Sequence, residues 1–160
     1  MKTTFLFIIA FVFLAVTTQA EELAKLSYST EVILDYVLAK KKLARNPEIP
    51  LPELHLKSQT SLEVFQSSLV DQWNFLPEII TNVYSVKTNR IFLMDDKAYY
   101  DDLKRCIDDS LAHELTHYVQ VMYQKWDHED ESLEWDAVDI QTQFREDFCS
   151  KHENSRIQNN

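Results

Sequence analysis

The stretch Leu111-Ala-His-Glu-Leu-Thr-His-Tyr-Val-Gln-Val-Met-Tyr123 decides how this chain is read. Leu111, Leu115, Val119 and Met122 recur at helical spacing and make one apolar stripe, so the segment reads as a helix with a face in the core. His113 and His117 lie four residues apart, together on another face. At that spacing two imidazoles can reach one Zn²⁺ at roughly 2.0–2.1 Å, and Glu114 beside them can take a proton from a water on the ion. Two solvated histidines on a polar face are the plainer reading. It suits this helix less, because Leu-Ala before the motif and Val-Gln-Val-Met after it suggest burial, and a buried polar pair needs a partner.

Upstream, Ser29-Thr30 predicts a capped helix to about Ala44, with Ile33, Leu34, Val37 and Leu38 inward and Asn46-Pro47 as its stop. Lys40-Lys41-Lys42 and Arg45 read as a solvated last turn, favoured by the helix dipole. An extended Pro47–Pro52 stretch leads into a short edge strand, Leu54-His55-Leu56, whose histidine is expected to face solvent or substrate. Thr60-Ser-Leu-Glu63 is a capping box for a helix to about Phe75, with Leu62, Phe65, Leu69 and Trp73 inward. Val83–Val86 and Ile91–Leu93 predict a hairpin with Asn89 in its turn. Asp95 to Asp102 reads as an acidic connection without the spacing or glycine of an EF-hand. A last helix is expected from Ser132 to about Ser150, with Leu133, Val138, Ile140, Phe144 and Phe148 apolar. The chain has no glycine, which excludes glycine-rich phosphate loops and GxSxG elbows. Left-handed turn positions should then fall to Asn or Asp.

Lys2, the apolar run Phe5 to Val16 and Thr18-Gln19-Ala20 together read as a secretory signal peptide over residues 1–20. The run is short for a membrane span. The expected product is one soluble, secreted or periplasmic domain over residues 21–150 with a flexible tail at 151–160. A formal net charge of −10 makes nucleic acid and anionic membrane poor partners.

A catalytic zinc usually takes three protein ligands and leaves one position to water. His128 follows His117 by eleven residues with no glycine turn between, so the HExxHxxGxxH pattern fails. Asp127 and Asp130 fall in a polar loop, and Glu131 is a weaker alternative. Glu134 lies seventeen residues beyond His117, in the first turn of a new helix that can fold back to the metal.

With Glu134 in place the chain resembles the gluzincin type of zinc metallopeptidase, in which HExxH is followed by a Glu on a second helix. More closely, His113-Glu-Leu-Thr-His-Tyr-Val-Gln120 with Glu134-Trp-Asp-Ala-Val-Asp-Ile-Gln141 looks like a family of small secreted proteins of unknown function. That family pairs HELxHxxQ with an ExxAxxxQ helix. The resemblance spans roughly Pro50 to Phe148. It implies that His113, His117 and Glu134 bind zinc, that Glu114 is the general base, and that the substrate is a peptide or protein. The Asn and Asp that flank the Glu ligand in thermolysin-like enzymes are here Leu133 and Val138, so the resemblance leaves open what supports the ligands. Tyr99, Tyr100, Tyr118, Tyr123 and His128 are available to stabilise an oxyanion, and none is singled out.

Cys106 and Cys149 lack CxxC spacing and fit one disulfide in an oxidising compartment. Cys106 precedes His113 by seven residues and Cys149 follows Glu134 by fifteen. If the two helices run antiparallel and meet at the metal, both cysteines fall to the same end of the pair. That geometry needs a first helix unbroken from Leu103, and Asp108-Asp109-Ser110 could start it later. The sequence thus predicts a small α+β, zincin-like domain. Its short sheet would pack on a metal-carrying helix, with a C-terminal helix supplying the third ligand.

Overall fold

The computed structural model describes residues 22–149 other than 128, 129 and 131. The signal-peptide segment, the alternative ligands His128 and Glu131, and the tail at 151–160 lie outside the described residues.

Strand β3 (Arg90–Leu93) is the centre of a three-stranded mixed sheet. It pairs in parallel with β1 (Glu53–Leu56), Leu54 opposite Ile91, and antiparallel with β2 (Val83–Ser85), Tyr84 opposite Ile91. The apolar run Ile91-Phe-Leu93 suits a strand covered on both faces. Alternation sends Ile91 and Leu93 into the main core and Phe92 to the other side. There Phe92 meets Phe65 edge to face at 5.1 Å. Asn89 turns the β2–β3 hairpin at φ 50°, and its Nδ2 donates to Leu51 O at 3.1 Å.

Five α-helices surround the sheet among the described residues: α1 (Thr30–Lys40), α2 (Leu62–Leu69), α3 (Lys97–Leu103), α4 (Ile107–Met122) and α5 (Ser132–Phe144). The main core joins α1, the sheet, α4 and α5, through side chains such as Ile33, Leu34, Leu93, Leu111, Leu115, Val119 and Phe144. A smaller core under the opposite sheet face holds Phe65, Leu69, Ile80 and Phe92. This is the expected α+β arrangement. No helix among the described residues is long and apolar enough to cross a membrane.

Several boundaries differ from the sequence reading. Helix α1 ends at Lys40, not Ala44, because Lys42 enters the left-handed region at φ 57°. Leu43 N–H then bonds Leu38 O, and Lys42 N–H bonds Ala39 O, which closes a Schellman cap. Left-handed positions fall to Asn89 as expected, but also to Lys42, Lys104 and Lys125. Each lysine is exposed just past a helix end, where the dipole favours a cation and no glycine is to hand. Lys40 and Lys41 are not simply solvated either, since they pair with Asp147 and Asp136.

Helix α2 is capped by Ser61, which accepts from Val64 N, and it stops at Leu69 rather than Phe75. Thr60 instead donates its hydroxyl to Leu56 O. Leu62, expected inward, and Val138, one of the apolar positions of the last helix, are both exposed, at 37% and 42%. The acidic connection contains α3, capped by Asp96, while Asp95 is buried against Ser58. After Phe144 the last helix continues as a π turn, Arg145–Cys149.

Helix α4 is not continuous with Leu103. It starts at Ile107 from Cys106, whose sulfur accepts from Asp109 N at 3.3 Å while Asp109 Oδ2 accepts from Cys106 N. Cys106 is nonetheless bonded to Cys149, with Cα atoms 6.1 Å apart. Starting the helix one residue after Cys106 leaves that cysteine at the same end of the α4–α5 pair. Cys106→Ser with Cys149→Ser keeps a hydroxyl cap but opens the covalent loop. It should lower unfolding free energy by about 2–4 kcal/mol in denaturant titration. An unchanged midpoint, or two free thiols in protein from an oxidising compartment, contradicts the bridge.

Candidate metal centre

Helix α4 is buried along most of its length, and Leu111, Leu115 and Val119 are fully enclosed. Its histidines turn toward the first turn of α5, where Glu134 is the third residue. His113 Nε2 and His117 Nε2 are 3.1 Å apart. Glu134 Oε2 stands 3.4 Å from the first and Oε1 3.2 Å from the second. Four ligands in a tetrahedron at 2.0–2.1 Å from a metal would lie about 3.3–3.4 Å from one another. The two imidazole nitrogens stand close to one edge of such a tetrahedron; Glu134 reaches them through different oxygens, and with one ligand atom from each residue the three lie within 4.8 Å of one another. His113, His117 and Glu134 could hold a metal, whereas Asp127 and Asp130 do not belong to the group. Asp130 instead accepts from Ser132 N at 2.9 Å. The other cluster of ligand types, Cys106, Asp109 and Cys149, is spent on the disulfide.

Behind each imidazole stands a glutamine, then a carboxylate, then a cation, but only His117 is hydrogen-bonded to its glutamine. Gln120 Nε2 donates to Leu133 O at 3.0 Å and to Asp136 Oδ2 at 2.7 Å. That fixes its Oε1 as the acceptor for His117 Nδ1 at 2.9 Å, so Nδ1 carries the proton and Nε2 keeps its lone pair for a metal. Asp136 is held in turn by Lys41. On the other side Gln141 Nε2 donates to the buried Asp109 Oδ1 at 3.0 Å, and Arg105 pairs with the same carboxylate at 2.9 Å. Gln141 lies close enough to favour protonation of His113, but no well-formed hydrogen bond reaches His113 Nδ1. Burial, with His117 next to it, holds His113 down at about 4, in the neutral form that a ligand needs. Burial raises the Asp109 carboxyl, and Arg105 opposes the shift.

Glu114 is 4% exposed, with its carboxyl pushed up to about 8, chiefly by burial and next by the Glu134 charge. It lines the same cavity of about 450 Å³ as the three ligand side chains, together with Gln72, Trp73 and Asn82. The strand on this cavity is β2, through Val83 and Tyr84. Strand β1, whose His55 was expected to face solvent or substrate, is the opposite edge of the sheet. There His55 contacts Glu53 at 3.3 Å and lies against the Phe92 ring. Tyr99, Tyr100, Tyr118 and Tyr123 do not line the cavity. Tyr100 donates its hydroxyl to Met94 O and Tyr118 to Pro50 O. The residues missed by sequence reasoning are glutamines: Gln120 and Gln141 behind the ligands, and Gln72 in the cavity wall.

The two shifted groups give the metal-free protein a pH signature. Glu114, ordinarily near 4.5 and here about 8, contributes stability that is fully present below about 4.5 and is lost as pH rises through about 8. His113, ordinarily 6.5 and here about 4, contributes stability that is present above 6.5 and is lost as pH falls through about 4. Denaturant stability without metal should therefore decline from pH 6.5 to 8, and Glu114→Gln should flatten that limb. A flat wild-type profile over this window contradicts the burial of an ionisable Glu114.

Comparison with protein-family models, with curated proteins and with solved structures finds no match, and the reading of this site rests on its own residues.

Proposed function

We propose that the chain is a secreted zinc-dependent hydrolase of the gluzincin type, with peptide bonds as its substrate and a zincin-like domain as its scaffold. The observation that carries this reading is the convergence of His113 Nε2, His117 Nε2 and the Glu134 carboxylate, all within 4.8 Å, beside a buried Glu114 in one cavity. The donor set suits zinc: two imidazoles and one carboxylate would hold the ion and leave a fourth position to water. When bound, zinc lowers the pKa of its water to about 7 and polarises a carbonyl. Glu114, in the wall of the same cavity, would be the general base, taking a proton from the attacking water and returning it to the leaving amine. Its raised pKa belongs to the metal-free protein, and a cation held by the neighbouring ligands favours the carboxylate. Gln120 holds the His117 ring in its tautomer and orientation throughout. The disulfide fits an oxidising compartment, secreted or periplasmic.

One observation favours a zinc-stabilised binding module instead. Among the described residues that line the cavity, no imidazole outside the ligand pair and no lysine or arginine stands ready for an oxyanion.

The protein should bind one Zn²⁺ per chain under non-chelating conditions, and His117→Ala should abolish binding. Gln120→Leu should weaken it by about 10–100-fold. Elemental analysis near zero, or zinc unchanged in His117→Ala, removes the site. Glu114→Gln separates the two functions because Glu114 is not a ligand. With full zinc it should lose about 10²–10⁴-fold in cleavage of a mixed peptide library, roughly 3–5 kcal/mol in the barrier. Equal cleavage by both proteins marks a contaminant. No cleavage by a zinc-loaded, folded wild type shifts the assignment to the binding module.

A further inference from the structure

Strand β2 is bonded to β3 on one side and, among the described residues, to no strand on the other. Residues Val83, Tyr84 and Val86 line the cavity that holds the ligand side chains. A bare strand edge presents main-chain donors and acceptors that seek a neighbouring chain. Here two of them are occupied by one side chain, while the Tyr84 N–H faces the Glu114 carboxyl. Gln72 Nε2 donates to Tyr84 O at 3.0 Å, and Gln72 Oε1 accepts from Val86 N–H at 3.0 Å. A carboxamide carries the same donor and acceptor as a peptide group, so Gln72 stands where a peptide unit of an added strand would stand.

We propose that the cavity-facing edge of β2 is a binding edge for an extended polypeptide, and that Gln72 is its removable plug, displaced when the incoming main chain bonds Tyr84 and Val86. The identity of the incoming chain rests on the peptide-hydrolysis reading; the plug itself does not. Three features make the plug removable. Gln72 is half-buried, in the irregular stretch after α2, so its side chain has solvent to turn into. The exchange is balanced, two hydrogen bonds lost and two gained. The backbone around Gln72 is anchored separately, by Gln72 N–H on Leu69 O, by the Asp71–Lys87 ion pair, by Ser85 Oγ donating to Ser68 O, and by Gln66 Nε2 donating to Pro77 O. The segment need not unfold for the amide to leave. Gln72 also keeps an unoccupied edge from pairing with a second molecule, which explains why a plug is useful in the resting protein.

The test uses the zinc-loaded full domain with Gln72→Ala, and Gln72→Glu as a size-matched variant that keeps the acceptor for Val86 but faces Tyr84 O with a carboxylate. Amide hydrogen exchange at Val86 should quicken by about tenfold or more in Gln72→Ala, while Ile91 in β3 stays protected. On a mixed peptide library Gln72→Ala should lower KM by about three- to tenfold with kcat unchanged, the worth of one or two net hydrogen bonds. Gln72→Glu should fall between it and wild type. Val86 exchange unchanged, or KM equal to or above wild type, overturns the plug. If wild type cleaves nothing, the peptidase reading falls, and the plug is decided by the Gln72 side-chain NH₂ signals of ¹⁵N-labelled protein. A shift on adding the same library supports it, and no shift overturns it.

Discussion

A helix enclosed on most faces cannot leave its polar side chains unanswered, and α4 encloses Asp108, Asp109, Ser110, Glu114, Thr116 and Gln120. The rest of the structure is arranged to answer them. Asp108 accepts from the main-chain N–H groups of Ser27 and Tyr28, which fixes the segment leading into α1. Thr116 donates back to Ala112 O within the helix. Gln120 reaches across to Leu133 and Asp136 and so sets where α5 begins. Asp109 takes Gln141 from the same helix about two turns further on. The two helices are registered by polar contacts as well as by Leu133, Ala137, Ile140 and Phe144.

That registration brings Glu134 to the histidines. Asp109 also caps the start of α4 through Cys106 N and pairs with Arg105, so one buried carboxylate serves the helix cap, the ion pair and the glutamine behind His113. The disulfide clamps the same end of the helix pair. Glutamine in place of carboxylate behind His117 has a chemical consequence. A neutral amide fixes the His117 tautomer without adding negative charge to the ligand, which leaves a bound cation more electrophilic than a carboxylate-backed site would.

The legible parts of the chain were those encoded over a few residues. His113 and His117 declare one helix face by their spacing, Ser29 caps α1, and the β2–β3 hairpin follows from two β-rich runs around Asn89. The position of Glu134 beside the histidines was legible from its place in the first turn of a new helix, and the cysteine pair through the antiparallel geometry of the two helices. Helix α3 was not, because seven residues with Tyr100 as the one buried side chain show no apolar period against so many aspartates. The parallel pairing of β1 with β3 joins residues far apart in the chain, and no local pattern encodes it. Lysine at left-handed positions followed from the lack of glycine together with the helix dipole, an outcome that turn propensity alone assigns to Asn or Asp. The glutamines sat in plain view, three residues after His117 and seven after Glu134, but their role depends on partners that only packing supplies.

The most direct measurement is zinc-edge X-ray absorption on the zinc-loaded protein. The proposed centre predicts four light-atom ligands at about 2.0–2.1 Å, with the outer-shell signature of two imidazoles and no sulfur at about 2.3 Å. The imidazole signature should disappear when His113→Ala and His117→Ala are combined. A sulfur shell, a shell without imidazole, or a signature that survives the double substitution would contradict a centre built from His113, His117 and Glu134.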